Sequence, residues 1–452
     1  MEAYLRSCRD VLKGCSKNSP GLHVVMGNEA CDMDSMVSAL TFAYFLSKTL
    51  DSKRVPVPVL NIPRAEFPLH SDSIFLLRET GLSQDHLLFR DEVDLRGLHK
   101  AKQLTLTLVD HNVLPSADSE LEEAVVEVID HHLLQRTPSP SCPVTVETVG
   151  SCATLVTERI AQKAPGVFDQ QVAQLLYGTI ILDCVNMAPE AGKVTPKDSQ
   201  YAMFLEKHFP KLPPRSALFQ SLQNAKFDVS GLSTEQMLLK DMKVASGGDL
   251  RLAVSAIYMT LEAFLQRRGL QQDLCEFCHN HNYNLVVAMT ISFNDNKEPF
   301  RQLAVYSSST VYRDEMSKAL EKAKNPSLDL RPMSSPYSDV KVYVQGNTLA
   351  SCKKVLPIIS EFLKERERKL AQIGNIEDLE LDDDSNQDQS DSQQQCVEDA
   401  GIEDDSQVPP TPMNSLVEGC PLDNGLPKIN PEVLVEKVSK MASMEDQSPE
   451  GQ

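Results

Sequence analysis

The sequence predicts an α/β protein with an N-terminal parallel-sheet domain, a smaller α/β accessory domain and a disordered acidic tail. Strand-like and helix-like segments alternate in the first half, prolines interrupt this pattern between residues 188 and 216, and acidic residues concentrate after residue 370. A chain of 452 residues is long enough for two domains with hydrophobic cores. We therefore predict domains at residues 1–190 and 216–370, a linker at 191–215 and a tail at 371–452.

The first domain repeats a pattern of strand, loop and helix. The apolar run Leu22–Met26 leads through a polar loop into a helix-like segment, Ser35–Leu50. Further strand-like runs begin at Val55, Leu104, Ala124 and Val144. This alternation is typical of a parallel sheet with helices on both faces. Because such sheets bind ligands at the carboxyl ends of their strands, we expect each functional acid to follow a strand.

The second domain shows another α/β pattern, and the tail differs from both domains in composition. Strand-like runs begin at Leu250, Asn284, Arg301 and Val340, and a last helix is predicted from Ser351 to Lys369. The tail is rich in Asp, Glu, Ser and Gln, a composition typical of disorder. Within it, residues 431–441 fit either a transient amphipathic helix or a helix that binds a partner.

Charge and composition exclude several classes of protein. The chain carries a net charge of −20, most of it in the tail, and no long basic run marks a nucleic-acid surface. No apolar run approaches the roughly 20 residues that cross a bilayer, so we predict no membrane insertion. The 11 cysteines are scattered and the N-terminus lacks an apolar signal core. We predict a cytoplasmic protein, with the nucleus as a further location.

Acidic residues follow or interrupt several apolar segments. They are Asp32 and Asp34 after the first strand, Asp110 and Asp130 after two later strands, and Asp183 within an apolar stretch. Asp and Ser also cap helices, so the turn around Asp32 alone fits ordinary capping. An unpaired carboxylate in an apolar stretch is costly, whereas hard divalent cations bind carboxylate oxygens. The complete set therefore predicts a metal site.

The same segments carry a family resemblance. GNEACDMDS from Gly27, VDHN from Val109, IDHH from Ile129 and ILDC from Ile181 occur in the order and spacing of the four motifs of the DHH phosphoesterase superfamily. Over about residues 20–365 the chain resembles the branch that holds family II pyrophosphatases and exopolyphosphatases, with a DHHA2-type accessory domain. Within that branch it resembles the prune proteins closely.

The resemblance implies a set of metal ligands. Asp32, Asp34, Asp110 and Asp183 would bind two Mn²⁺ or Mg²⁺ ions. Through these ions the aspartates would activate the attacking water. His131 would be a nitrogen ligand, with Asp130 orienting it and His111 also supporting the ligands from outside the metal's own shell. Asn28 stands where family II pyrophosphatases have His, so it would be a weak ligand at most.

The resemblance also implies residues that bind substrate phosphate. These are His132 in the first domain and Lys243, Lys353 and Lys354 in the second; for the lysines, a solvated surface position is the alternative. Cys352 stands where the pyrophosphatases have Arg, which removes a bidentate phosphate ligand. The two departures, Asn28 and Cys352, argue against efficient cleavage of pyrophosphate itself.

The resemblance implies an exopolyphosphatase that hydrolyses short inorganic polyphosphates. One alternative is a regulatory interaction protein with a weakened hydrolase core and a partner-binding tail, since the prune family is associated with nucleoside diphosphate kinase. A further alternative is a cyclic-nucleotide phosphodiesterase, although the chain has no Trp and only 6% aromatic residues to build a purine pocket. The four aspartates favour a catalytically active hydrolase, whereas Asn28 and Cys352 favour the interaction protein.

Overall fold

A computed structural model describes residues 1–13, 21–137, 139–293 and 299–379. These residues form two compact units, which divide between Gly231 and Leu232. In chain order, the helices and strands of the first unit are α1 (Glu2–Lys13), β1 (Leu22–Met26), α2 (Met33–Thr49), β2 (Val55–Val59), α3 (Ser71–Glu79), α4 (Leu95–Lys100), β3 (Leu104–Val109), β4 (Val125–Asp130), β5 (Val144–Val146), α5 (Cys152–Lys163), α6 (Gln170–Asp183), α7 (Pro196–His208) and α8 (Arg215–Phe227).

The first unit is built on a five-stranded parallel sheet, which confirms the predicted architecture. The strand order is β2-β1-β3-β4-β5, and every neighbouring pair is parallel. Successive residues of β1 point to opposite faces, so Val25 packs in one hydrophobic core and Val24 in the other. Because both faces are buried, the free backbone and side-chain groups of the sheet are concentrated at the strand ends.

Glu92 connects separate parts of the first unit. Its carboxylate accepts hydrogen bonds from Arg9 of α1 at 3.0 Å, from Arg64 at 2.8 Å and from the Phe89 backbone at 3.1 Å. Burial alone would raise the pKa of Glu92, but the bonds from Arg9 and Arg64 outweigh it and lower the pKa to about 2. The ionised carboxylate therefore stabilises the fold above its ordinary pKa of 4.5, and this contribution is lost as the pH falls towards 2.

Glu92→Gln is expected to lower the free energy of unfolding by about 1–2 kcal/mol at neutral pH, because both arginines lose an ionised acceptor. The difference from wild type should shrink between about pH 5 and pH 3, where the unfolded chain takes up the proton first. Urea unfolding over this range measures both effects. Glu79→Gln, which alters an exposed pair with Arg78, is the control; equal losses in the two variants would contradict the prediction.

The second unit is a mixed α/β structure. Its elements are α9 (Thr234–Lys240), β6 (Met242–Gly247), β7 (Leu250–Ile257), α10 (Leu261–Leu265), α11 (Leu270–Asn280), β8 (Leu285–Phe293), β9 (Pro299–Tyr306), α12 (Thr310–Lys322), β10 (Leu330–Met333), β11 (Val340–Gln345) and α13 (Cys352–Leu379). The sheet order is β10-β11-β9-β8-β7-β6, and only the β7–β8 pair is parallel. The two edge strands, β6 and β10, were not predicted because they are half exposed and lack a regular apolar pattern.

The last helix ends later than predicted, and a helix lies in the predicted linker. The last helix continues to Leu379, beyond the predicted end at Lys369. Helix α7 lies within the segment 191–215 that we predicted as a linker. The predicted domain bounds themselves stay predictions. The acidic tail beyond α13, including residues 431–441, lies outside the described residues. None of the described helices is long and apolar enough to span a membrane.

Candidate metal centre

The turn after β1 places two carboxylates at the start of α2. Gly27 closes the end of the strand, where an added Cβ would lie only 2.7 Å from the Cβ of Ser35. Asp32 is the N-cap of α2, and its Oδ1 accepts a hydrogen bond from the Ser35 backbone at 3.0 Å. Asp34 follows in the first helical turn. Asp32 therefore caps the helix, and the cap uses only one of its carboxylate oxygens.

Asp34 is held from the opposite side by the beginning of α5. Its Oδ2 accepts a hydrogen bond from the Cys152 backbone at 2.5 Å, and its Oδ1 accepts one from the Ala153 backbone at 2.8 Å. A helix N-terminus favours a negative charge. Nevertheless, burial and then the charge of Asp110 raise the pKa of Asp34 well above its ordinary value. The carboxylate is fixed in position but needs further positive charge to remain ionised.

Asp110 lies directly after β3 in a left-handed conformation, with φ of 60°. Its Oδ2 accepts hydrogen bonds from the Ser35 hydroxyl at 2.6 Å and from Asn28 Nδ2 at 3.0 Å. Its Oδ1 is buried and accepts no hydrogen bond from the described residues. That oxygen lies 3.1 Å from His131 Nε2, which is also 3.7 Å from Asp34 Oδ2. The histidine ring therefore points between two carboxylates.

The hydrogen bonds of His131 fix which ring nitrogen is available. Its Nδ1 lies 2.8 Å from the carbonyl oxygen of Val149, and because a carbonyl only accepts, Nδ1 carries the proton. In a neutral ring Nε2 is then the nitrogen with a lone pair, and it faces Asp34 and Asp110. This is the arrangement of a histidine that binds metal through Nε2.

Asp130 orients the neighbouring histidine, which corrects the prediction that it orients His131. Its Oδ1 accepts hydrogen bonds from His132 Nδ1 at 2.7 Å and from the His131 backbone at 2.7 Å. Burial alone would raise the pKa of Asp130, but the bond from His132 outweighs it and lowers the pKa to about 2. Burial likewise opposes protonation of His132, yet the bond to Asp130 and the charge of Asp110 raise its pKa. Asp130 therefore orients His132 and favours its protonated form.

Asp183 reaches the same cluster from a helix, so the expectation that every acid follows a strand is wrong for this residue. It is the last residue of α6 and precedes a turn in which Val185, Asn186 and Met187 all have positive φ. Its Oδ2 is buried without a hydrogen bond from the described residues. Burial and then the charges of Asp34 and Asp32 raise its pKa well above the ordinary value.

Asn28 and His111 are each held by hydrogen bonds to nearby backbone groups. The Asn28 oxygen accepts hydrogen bonds from the backbones of Ala30 and Cys31, at 3.0 and 3.2 Å. Its amide nitrogen donates to Asp110, so the side chain closes the turn and orients a carboxylate. His111 Nδ1 lies 2.9 Å from the Val109 carbonyl, and its Nε2 is buried without a partner among the described residues.

The donor set fits a divalent cation. Asp110, His131 and His132 offer ligand atoms within 4.8 Å of one another. Burial and then the charge of Asp110 raise the pKa of Asp32 to about 6, and the pKa values of Asp34 and Asp183 are also raised well above the ordinary value. Uncompensated, such carboxyls take up protons; hard cations with oxygen and imidazole ligands stabilise their ionised forms. Two oxygens that accept no hydrogen bond from the described part of the chain, Asp110 Oδ1 and Asp183 Oδ2, agree with this interpretation.

Lys226 is a residue that the sequence did not mark. It lies in the last turn of α8, where its backbone carbonyl accepts a hydrogen bond from Ser71 at the start of α3. Its charge lowers the pKa values of Asp32 and Asp183, opposing the larger effect of burial. It forms no ion pair with any residue in the described ranges. No metal-site motif contains this lysine, so only the packing of α8 could have identified it.

Lys226→Met is expected to raise the KM for tripolyphosphate about tenfold, because an ammonium near the carboxylates can also neutralise phosphoryl oxygens. Mn²⁺ should bind at least as tightly as in wild type, since a repelling positive charge is removed. Steady-state kinetics and Mn²⁺ titration measure the two effects, with the exposed Lys48→Met as the control. Weaker Mn²⁺ binding together with an unchanged KM would contradict this role.

The predicted phosphate-binding lysines belong to the second unit. Lys243 lies on β6, and Lys353 and Lys354 lie in the first turn of α13. Cys352 begins that helix and is buried, and burial raises its pKa to about 12, so the thiol is neutral. The contribution of the three lysines to phosphate binding stays a prediction.

Comparisons with known proteins agree with the division of the chain into two units. The model of the DHH family N-terminal domain matches residues 23–180, and that of the DHHA2 domain matches residues 220–362. Exopolyphosphatase PRUNE1 of Mus musculus is 50% identical over 453 residues, covering 98% of this chain and 97% of the relative. Its counterpart from Homo sapiens is 50% identical over 452 residues, with 98% and 97% coverage.

A more distant relative has a smaller overlap. The manganese-dependent inorganic pyrophosphatase of Methanocaldococcus jannaschii is 23% identical over 276 residues, covering 59% of this chain and 81% of that protein. The family assignment rests on the first two relatives, because they are half identical over nearly the full length of both chains. With a DHH and a DHHA2 domain in this order, the chain belongs to the prune exopolyphosphatase family.

Proposed function

We propose that this protein is a metal-dependent hydrolase that cleaves phosphoanhydride bonds in short-chain inorganic polyphosphates. The observation that carries the proposal is the acidic cluster at His131 Nε2, which lies 3.1 Å from Asp110 and 3.7 Å from Asp34. The charges of Asp34 and Asp32 act in turn on Asp183. The named activity of the half-identical relatives supports a polyphosphate substrate. The departures at Asn28 and Cys352 support a preference for short chains over pyrophosphate.

In this proposal the four carboxylates and His131 would hold two ions, Mn²⁺ or Mg²⁺. Ions held there would make the attacking water more acidic, so the chain would need no nucleophilic side chain. The name of the archaeal relative supports manganese. Asn28 keeps Asp110 in position through its amide nitrogen, while Asp34 is fixed by two backbone N–H groups of α5.

The cationic side chains act on the substrate. His132 is oriented by Asp130, which favours its protonated form, and would neutralise a phosphoryl oxygen as charge moves onto it. Lys226 adds a second positive charge beside Asp32 and Asp183. Lys243, Lys353 and Lys354 would bind further phosphoryl groups of a longer substrate.

Interaction with partners is a second proposed function, which the departures at Asn28 and Cys352 favour. A nucleoside diphosphate kinase is the partner that the family suggests, and the acidic tail is the segment that would recruit it. The cytoplasm, with the nucleus as a further location, is the proposed compartment. Co-precipitation of a purified nucleoside diphosphate kinase with the full chain, but not with a chain ending at residue 379, would support this function.

The direct test of the enzyme is phosphate release from pyrophosphate, tripolyphosphate, longer polyphosphate and cyclic AMP, each with Mn²⁺ or Mg²⁺. We expect tripolyphosphate to be hydrolysed fastest. The Asp32→Ala, Asp34→Ala double variant should be inactive with every substrate, and unchanged activity in this variant would overturn the metal mechanism. Turnover of cyclic AMP alone would identify a cyclic-nucleotide phosphodiesterase instead.

A further inference from the structure

The segment Val149–Ala153 connects two of the candidate metal ligands. The carbonyl oxygen of Val149 accepts the hydrogen bond from His131 Nδ1 at 2.8 Å. Three residues later, the backbone N–H groups of Cys152 and Ala153 donate to the two oxygens of Asp34 at 2.5 and 2.8 Å. A displacement of this segment would therefore move the imidazole of His131 and the carboxylate of Asp34 together.

A buried carboxylate from another helix anchors this segment. Asp198 of α7 is completely buried, and its Oδ2 accepts a hydrogen bond from the Gly150 backbone at 2.8 Å. Its Oδ1 accepts one from the Thr154 hydroxyl at 2.6 Å. Asp198 thus holds the chain at Gly150, next to the residue that contacts His131, and at Thr154, next to the residues that contact Asp34. Gly150 allows this approach, because an added Cβ would collide with the carbonyl of Lys193 and the sulfur of Cys184.

Asp198 is itself held rigidly in α7. Its Oδ2 also accepts hydrogen bonds from the backbone of Thr195 at 2.8 Å and from the Thr195 hydroxyl at 2.7 Å, within the capping box that starts the helix. The buried carboxylate therefore accepts hydrogen bonds from four N–H and O–H groups, and two of these belong to the segment before and within α5. Such a carboxylate is compensated by hydrogen bonds and needs no metal.

We propose that Asp198 is a positioning residue for the metal centre, acting through Val149–Ala153 on both His131 and Asp34. The inference rests on the proposed metal-dependent function. Partners behind the ligands fix their orientation, and the loss of one such partner commonly costs 10–100-fold in metal affinity. Asp198 differs from Asp130, which contacts the histidine pair directly, because it acts through the backbone of an intervening segment.

The test is Mn²⁺ binding by the full chain, measured from the electron paramagnetic resonance signal of free Mn²⁺. Asp198→Ala removes all four acceptor contacts, and we expect its Mn²⁺ dissociation constant to rise about 10–100-fold. Asp198→Asn should be closer to wild type. Its amide oxygen can accept from Gly150 and Thr195 while its nitrogen donates to the Thr154 hydroxyl.

The matched control is Asp169→Ala, which removes the aspartate that caps α6 through the Val172 backbone and does not contact Val149–Ala153. Its Mn²⁺ dissociation constant should stay within about twofold of wild type, although its melting temperature falls. If Asp198→Ala does not fold, Thr154→Val decides the question. This change removes one anchoring hydroxyl at similar volume and should weaken Mn²⁺ binding about threefold to tenfold.

A folded Asp198→Ala protein that binds Mn²⁺ as wild type does would overturn the positioning role, as would equal weakening in Asp169→Ala. Activity gives an independent readout, because saturating Mn²⁺ should restore much of the hydrolysis in Asp198→Ala. It should not do so in the Asp32→Ala, Asp34→Ala variant, which lacks ligands. Failure of the proposed function itself would appear differently, as Mn²⁺ binding by wild type without hydrolysis of any polyphosphate.

Discussion

Asp32→Asn is expected to abolish phosphate release from tripolyphosphate and, at the same time, to stabilise the metal-free protein. Burial and the charge of Asp110 raise the pKa of Asp32 from 3.8 to about 6. An acid with a raised pKa destabilises the fold as the pH rises through this interval, because the unfolded chain ionises first. Removing the charge should therefore add about 2 kcal/mol to the free energy of unfolding at neutral pH.

Asparagine caps helices as well as aspartate does, so the bond to the Ser35 backbone is kept and the stability change reports the charge. Urea unfolding in the presence of a chelator measures the gain, and phosphate release with Mn²⁺ measures the loss of activity. Asp169→Asn changes another capping aspartate and should leave both quantities near wild type. A variant that is less stable than wild type without metal would contradict the assignment of Asp32 to a repulsive acidic cluster.

Mn²⁺ is expected to stabilise the wild-type protein, and Asp183→Asn should remove most of this effect. At a concentration 100-fold above the dissociation constant, a ligand that binds only the folded state adds about 3 kcal/mol. Asp183 is the clearest position to test because its Oδ2 accepts no hydrogen bond from the described residues. The change to Asn therefore removes a candidate ligand and a negative charge without breaking a visible hydrogen bond of that oxygen.

The stabilisation should depend on pH in a defined direction. Asp32 is protonated below its pKa of about 6, so Mn²⁺ competes with protons there and stabilises less. Above that pH the stabilisation should reach a plateau. Thermal unfolding with and without Mn²⁺ at several pH values measures this dependence in wild type, Asp183→Asn and Asp169→Asn. The same Mn²⁺ effect in wild type and Asp183→Asn would exclude Asp183 from the metal centre.

The sequence alone predicted the parallel sheet of the first unit and most of the residues that its edge brings together. Alternating apolar and amphipathic segments specify parallel strands, and the carboxyl ends of parallel strands meet at one edge. Asp110 and His131 therefore lie side by side although they are distant in sequence. The start of α2 was also predictable from the sequence, since Asp32 has the residue type and position of an N-cap.

Only the tertiary structure identified the acids and supporting residues that do not follow a strand of the parallel sheet. Asp183 lies at the end of a helix, and Lys226 is brought near the acids by the packing of α8. The Val149–Ala153 segment is recognised only by its hydrogen bonds to His131 and Asp34. These contacts join residues that lie far apart along the chain and depend on backbone groups, which every residue has. Residue types and spacing therefore determined the metal-binding chemistry, whereas the folded backbone decided how each ligand is oriented.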